Sequence, residues 1–408
     1  MKTTKHKYSV LRQICNIIPP FLVAKLAKKH GIDKQARSFS PWSHVLSMLF
    51  VHLAHSLSLN DVADTLRNHS GVLTSIRRAT PPSRNGLSHA NKVRDPQMAE
   101  DLFWQVLSHI QNMFPDFGYG HKYSGLPRRF NRTIYAVDST TIQLVANCIS
   151  WAKHRRRKAA AKCHMRLNLQ TFLPGFAVVK EASTNDSTEA YVVCSGLKDG
   201  EIVVFDKAYV DFKHLYQLSK KGVFWVTRAK DNMQYRIVKT CKPGRKSIIG
   251  DYIIELTTEK TRGHYPQYCR LVIAEVEVDG KMKVMSFITN NTDWASSSIC
   301  DLYKARWAVE VFFKQIKQTL QLGDFLGHSR NAILWQVWMA MLTYVLLRFI
   351  SYMGSWKGSF SRLFTLLRGI IFDKFDMYEV IKVCGTARGS PRLIAAPQQA
   401  YLPGLEPW

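Results

Sequence analysis

Apolar positions recur along this chain in two rhythms, and the change of rhythm divides it. From Ser9 to about Phe114 the spacing is helical. Ser9 to Lys29 and Trp42 to Leu57 each carry an apolar face, and Ser58-Leu59-Asn60-Asp61 reads as a cap opening a helix over Asp61 to Asn68. Asp95-Pro96 restarts a helix through Phe103 and Trp104. Residues 115 to 128, with Pro115, Gly118, Gly120, Gly125 and Pro127, break the pattern and predict a domain boundary. Short β-branched runs then take over. TIYAVD and EIVVFD are each expected to be a strand ending on an Asp, Asp138 and Asp206, with Ser139 to Ile142 continuing as a paired strand or turn. Between them, His164 to Leu169 and Phe176 to Val179 predict a strand pair and Thr188 to Leu197 a helix; Val210 to Lys221 predicts the helix after Asp206. This order is that of a mixed α/β core, and carboxyl ends of strands are where open α/β sheets place ligand sites. Residues 223 to about 290 read as successive strands, a β-rich insertion.

After that insertion comes Tyr303 to Leu320, predicted as one helix with neither Gly nor Pro. Tyr303, Arg306, Glu310 and Lys317 fall within an arc of about 60° on an ideal helix. Trp307, Ala308, Val311, Phe312, Phe313 and Ile316 occupy the rest. A helix apolar over most of its circumference is buried, so its polar stripe faces a partner or a cleft. A self-satisfied salt-bridge stripe on a core helix is the competing reading. Leu334 to Tyr352 is more apolar still, but Gln336, Thr343 and Arg348 interrupt it, which favours a core helix over a membrane span. Phe360 to Phe372 is basic and apolar, and the tail from Gly385 reads as loose.

Charge changes the picture. Among 408 residues, 57 are Lys or Arg and 30 Asp or Glu, a net charge of +27. That excess favours a polyanionic partner, nucleic acid before an anionic membrane surface. Two stretches concentrate it. IRRATPPSRNGLSHANKVR, from Ile76 to Arg94, holds Arg77, Arg78, Arg84 and Lys92, a helix–loop–helix suited to DNA phosphates with a helix in a groove, or else a solvated basic face. HRRRKAAAK, from His154 to Lys162, holds Arg155, Arg156 and Arg157, either a phosphate contact or a solvated loop. Eight scattered cysteines without a C-x-x-C pair argue against a zinc site or a disulfide framework. The basic, apolar N-terminus is interrupted by Arg12, Gln13, Asn16 and Pro19-Pro20, unlike a signal peptide. A soluble, cytoplasmic protein with no membrane contact is expected. His52 and His55 are expected to be ordinary helix histidines.

If Asp138, Asp206 and Glu310 converge, three carboxylates in one cleft repel unless cations separate them. Magnesium, with manganese as substitute, is the matching hard ion, and two such ions can activate an attacking oxygen and stabilise a leaving one in phosphodiester displacement. Arg306 and Lys317 on the same face would hold phosphates, and Tyr303 would donate to a phosphate or stack on a base.

The spacing Tyr303-x2-Arg306-x3-Glu310-x6-Lys317 resembles the Y-R-E-K signature of IS4-type insertion-sequence transposases of the DDE group. YAVDSTTI around Asp138 and VVFDKAYVDF around Asp206 resemble that family's first and second Asp motifs, with Lys207 where Arg is more usual. The resemblance covers roughly residues 5 to 352. It implies an RNase H-like catalytic core (128–222 and 296–355) interrupted by a β-rich insertion (223–295), preceded by a helical, basic DNA-binding domain (1–125) and followed by a C-terminal region (356–408). It implies Asp138, Asp206 and Glu310 as metal ligands, Tyr303, Arg306 and Lys317 as grips on DNA, and cut-and-paste transposition by a dimer on double-stranded DNA. The family's base-flipping tryptophan has no secure counterpart; Trp225 and Trp294 are the candidates. A catalytically inactive DNA-binding regulator and a nuclease without strand transfer are the alternatives.

Overall fold

The computed structural model describes residues 5–35, 39–118, 130–144, 159–181, 186–278, 280–320 and 325–384. Its strands are β1 (Ile134–Leu144), β2 (Ala159–Asn168), β3 (Leu173–Glu181), β4 (Ile202–Phe205), β5 (Phe224–Arg228), β6 (Tyr235–Thr240), β7 (Ile248–Leu256), β8 (Cys269–Val278) and β9 (Lys281–Thr289). Among the described residues they form one mixed sheet in the order β3-β2-β1-β4-β5-β9-β8-β7-β6. β4 runs parallel to both β1 and β5, and the other pairings are antiparallel. All four residues of β4 are buried, as its unbroken Ile-Val-Val-Phe run requires of a central parallel strand.

One sequence expectation changes here. Asp138 does not end a strand: β1 continues to Leu144, and Ser139 to Ile142 pair with β2. The parallel pairing of β1 with β4 does stop at Val137↔Phe205, so Asp138 and Asp206 follow that last pair at the same level. The strands of segment 223–295 join the same sheet. β5 adds to β4 and β9 returns to β5, making the β-rich segment one half of a continuous sheet. Hydrogen bonding across β4–β5 and the burial of Trp225 and Val226 on its two faces explain why. Part of the HRRRKAAAK run, Ala159 to Lys162, belongs to β2 rather than to a loop; Arg155, Arg156 and Arg157 lie outside the described residues.

The helices before the sheet are α1 (Val10–Asn16), α2 (Leu22–Lys29), α3 (Pro41–Ala54), α4 (Leu59–Asn68), α5 (Ser70–Ser75), α6 (Arg84–Val93) and α7 (Gln97–Met113). Pro19-Pro20 splits the expected Ser9–Lys29 helix into α1 and α2. Within and beyond the sheet come α8 (Asp186–Val193), α9 (Phe212–Lys220), α10 (Glu259–His264), α11 (Ser296–Ala305), α12 (Trp307–Lys314), α13 (Arg330–Met353), α14 (Phe360–Gly369) and α15 (Met377–Cys384). Buried residues of the N-terminal helices, the sheet and α13 belong to one hydrophobic cluster. α13 packs on α3, α6 and α7, and its Tyr344 meets Phe312 of α12 at 4.8 Å while donating to the Phe172 carbonyl. It is the one described helix long and apolar enough to cross a membrane, yet 94% of its most apolar window is buried inside the fold.

Tyr303 to Leu320 is not one regular helix. Arg306 keeps helical dihedrals (φ −53°, ψ −33°), but its N–H bonds Tyr303 O three residues back, a tightened turn between α11 and α12. Past α12 the chain widens into a π-turn over Gln315–Thr319, which holds Lys317. The stripe survives this remodelling because Tyr303 reaches Asp206 beyond β4, Arg306 and Lys317 reach β1, and Glu310 pairs with Arg306.

Candidate active site

Three elements supply the carboxylates: Asp138 from the middle of β1, Asp206 directly after β4, and Glu310 from α12. Arg306 stands between two of them, with Nη1 2.8 Å from Asp138 Oδ2 and Nη2 2.7 Å from Glu310 Oε1. Asp138 Oδ1 accepts the Ser139 N–H at 2.8 Å. Asp206 Oδ1 caps a short 3-10 turn by accepting the Ala208 N–H at 3.2 Å, and its Oδ2 accepts the Tyr303 hydroxyl at 3.3 Å. Lys317 Nζ donates to the Thr141 carbonyl of β1 at 2.6 Å. The Tyr303 ring rests against Phe287, centroids 4.9 Å apart. Lys207 is turned away, paired with Asp231 at 3.0 Å.

The electrostatics describe one shared field. Burial pushes the Asp138 carboxyl up to about 6; Arg306 and the Ser139 N–H oppose this, while the negative charges of Glu310 and Asp206 add to it. Burial, with Asp206 adding, raises the Tyr303 phenol to about 12, so it stays a hydrogen-bond donor at neutral pH. Burial pulls the Arg306 guanidinium down, but Asp138, Tyr303 and Glu310 outweigh it and hold the group more firmly protonated. Burial lowers the Lys317 ammonium.

These donors suit a hard divalent ion, since all three acids offer carboxylate oxygens and no thiolate or imidazole. As they stand, no three acidic, His or Cys side chains among the described residues are grouped closely enough to hold an ion. The Arg306 guanidinium lies between Asp138 and Glu310 and pairs with both. The residues fit such an ion chemically.

The basic residues expected on DNA divide. Arg78, Arg84 and Lys92 are exposed. Arg77 turns inward: its Nη2 donates to the carbonyls of Cys15 (3.1 Å) and Ile18 (2.5 Å), and its guanidinium stacks on Trp42 at 4.4 Å. It closes the end of α1, a role that free carbonyls impose and a charge count cannot reveal. Trp225 is a fully buried core residue with Nε1 on Ser219 Oγ, and Trp294 is half-buried, packed against Phe130 and Phe224 at the edge of the core.

Sequence reasoning missed two supports. His52 and His55 close the open end of the π-turn: His52 meets Leu320 O at 3.0 Å and Gln336 O at 2.9 Å, and His55 Nε2 meets Thr319 O at 2.6 Å. Buried Arg270 pairs with Asp251 at 2.8 and 2.7 Å and donates to the carbonyls of Thr292 and Trp294, fixing the loop that launches α11. Nothing in either local sequence announces a partner so far along the chain.

Comparison with known proteins bears on the same residues. Residues 129–346, more than half the chain, match the family model described as "Transposase DDE domain", and residues 6–76 match a domain of unknown function, DUF4372. The chain is 27% identical to the protein y4zB of Sinorhizobium fredii over 59% of this chain and 67% of that one. It is 28% identical to the probable transposase of insertion sequence element IS5377 of Geobacillus stearothermophilus over 54% of this chain and 58% of the relative. It is 26% identical to transposase InsG of insertion sequence element IS4 of Escherichia coli over 46% and 42%. Against the latter two, the match therefore spans little more or less than half of the relative's own length. Among solved structures, a piggyBac transposase synaptic complex with hairpin DNA aligns at TM-score 0.43 and 11% identity over 94% of this chain and 80% of that chain, too distant to bear on the site.

Proposed function

The chain belongs to the transposase DDE-domain family, and from that premise we propose an insertion-sequence transposase that binds the ends of a DNA element, cuts its phosphodiester bonds and joins the freed ends to a target. The observation that supports the reading is Arg306 bridging Asp138 and Glu310, with Asp206, held by Tyr303, adding its charge to the same field. In this reading β1, β4 and β5 with α11–α12 form an RNase H-like core, and β6–β9 extend its sheet.

Asp138, Asp206 and Glu310 would hold divalent magnesium or manganese, which when bound supplies a lowered-pKa nucleophile and charge neutralisation at phosphorus. The chain's own residues do the rest. A water oxygen, or later a 3′-hydroxyl, attacks phosphorus; the bond from phosphorus to the bridging 3′-oxygen breaks, the attacking group's proton passes to solvent, and the leaving 3′-oxygen takes a proton from solvent to become a hydroxyl. Arg306, released from the acids, is a planar fork for the phosphate, and Lys317 is a point charge beside it. Tyr303, kept protonated by burial, donates toward the same oxygens. Bringing two ends together calls for a second copy, and the duplex itself for the net charge of +27.

The test uses the full-length chain with duplex DNA copied from both sides of its own reading frame. Cleavage that needs magnesium or manganese, is abolished by Glu310→Gln, and yields ends joined to a second duplex is the expected result. Cleavage that survives Glu310→Gln, or strict binding with no turnover in either metal, would refute the assignment. Cleavage without joined products would make the protein a nuclease.

A further inference from the structure

We propose that α6 is the element that reads DNA sequence, setting its outward face into the major groove of a duplex. The proposal rests on the transposase reading above and adds to it which residues choose the site. Arg84, Asn85, Ser88, His89 and Lys92 are all exposed and recur at the spacing of a single helical face. Leu87, Ala90 and Asn91 turn inward. The outward side chains are those whose geometry matches base edges: Arg for guanine, Asn for adenine, Ser for either. From Arg84 to Lys92 the axis advances about 12 Å, close to the ~12 Å width of the major groove, so the two cations reach phosphates toward opposite walls while Asn85, Ser88 and His89 lie between them.

A polar face on a surface helix is ordinarily just solvated, and three independent observations set α6 apart. The first is charge. From Thr65 to Arg94 there is no Asp or Glu, while Arg67, Arg77, Arg78, Arg84, Lys92 and Arg94 are present. A solvated helix normally balances its cations with acids three or four residues away; α6 contains none, and Asp95, three residues past Lys92, is engaged with His30 and the Gln97 N–H.

The second is anchoring. Asn91 Oδ1 meets the buried His44 Nε2 at 2.7 Å, the Lys92 carbonyl accepts from Asn331 Nδ2 at 3.0 Å, and the Arg94 carbonyl accepts from Trp335 Nε1 at 3.1 Å. The guanidinium of Arg94, 7% exposed, is spent on the carbonyls of Phe39 and Ser40. Ser83 Oγ caps the start by accepting the Gly86 N–H at 3.0 Å. Polar bonds of this kind, those of Asn91 and the Arg94 carbonyl buried, fix rotation and depth better than apolar contact alone, and base readout needs both fixed.

The third is strain. Arg77 and Arg78 both adopt left-handed backbone, φ 55° and 56°, a conformation non-glycine residues avoid. The bonds of Arg77 to α1 and its stacking on Trp42 hold that turn, which leads from α5 toward α6 with Arg78 exposed. α6 also packs against α4, from which α5 and the Arg77–Arg78 turn separate it along the chain, so its outward face is held on a helical support.

The experiment selects binders from a random-sequence duplex pool with the full-length chain and with single variants Asn85→Ala, His89→Ala, Arg84→Ala and Lys92→Ala. Metal-dependent cleavage of the flanking DNA is measured on the same preparations, and thermal melting confirms that these exposed substitutions leave the fold intact. The native chain should enrich a motif. Asn85→Ala and His89→Ala should relax it at separate positions, lowering discrimination there by about 5- to 150-fold with non-specific binding unchanged. Lys92→Ala should weaken all sequences alike and reduce the salt dependence by about one counterion. If Asn85→Ala and His89→Ala select the native motif at the native ratio, or if the native chain binds duplexes but enriches nothing, the proposal fails; metal-dependent cleavage by the same preparation would then leave the transposase reading standing. A chain that binds no duplex at all overturns both.

Discussion

Arg306→Gln separates a guanidinium that merely decorates the site from one that stands in for a cation. Arg306 makes two charge-assisted bonds, at 2.8 Å to Asp138 and 2.7 Å to Glu310. Each such bond is worth on the order of 1.5–3 kcal/mol. The Asp138 side chain is 18% exposed and belongs at the upper end; that of Glu310, 35% exposed, is screened and belongs at the lower. Against about 4 kcal/mol in total stands the desolvation of a guanidinium left 11% exposed, so the net loss on truncation is about 2–3 kcal/mol. A divalent ion entering the native site meets the same figure, because it must first part the pair. At 1.4 kcal/mol per factor of ten this is about 30- to 150-fold in affinity. Arg306→Gln, without DNA, should therefore be less stable than the native chain when chelated, yet bind manganese about 30- to 150-fold more tightly. Manganese titration followed by electron paramagnetic resonance, beside urea unfolding with and without the ion, measures both. Adding duplex DNA should close the gap by giving the native guanidinium a phosphate instead. Manganese binding by Arg306→Gln that is no tighter than native would refute the reasoning.

Three more outcomes follow from the geometry. Asp138 titrates near 6 in the fold against 3.8 in the unfolded chain, so its ionised form is disfavoured by folding and stability falls as pH rises between those values; Asp138→Asn, chelated, should equal the native chain below pH 3.8 and exceed it above pH 6 by on the order of 3 kcal/mol in urea melts, while losing cleavage. Burial lowers the His52 imidazole from 6.5 to about 4, so the stability it contributes is complete above pH 6.5 and is lost as pH falls toward 4; His52→Asn should flatten the acid limb of the stability profile by about 1.4 kcal/mol per pH unit. Asp251→Asn leaves buried Arg270 without its counter-charge and should cost about 3–5 kcal/mol by denaturant midpoint, whereas the double replacement Asp251→Leu, Arg270→Met should recover most of that loss.

What could be read along the chain was whatever depends on near neighbours. The period of apolar residues made the region before Phe114 helical and the runs around Val137 and Val204 strands, because a side chain's face is set by its position on its own helix or strand. The Tyr303-Arg306-Glu310-Lys317 spacing named the family to which the chain belongs, since a helical stripe is itself a local pattern. Tertiary structure decided everything that joins distant residues. Asp138 sits in mid-strand because β1 outruns β4 and goes on pairing with β2, a matter of register between segments that local preference does not set. Arg77 points inward because α1 ends beside it, and Arg306 lies between Asp138 and Glu310 because the sheet brings β1 under α12. A lone charge in a sequence is silent about its partner: which opposite charge or open carbonyl it meets is settled only when the chain folds back and burial makes leaving it unpaired too costly.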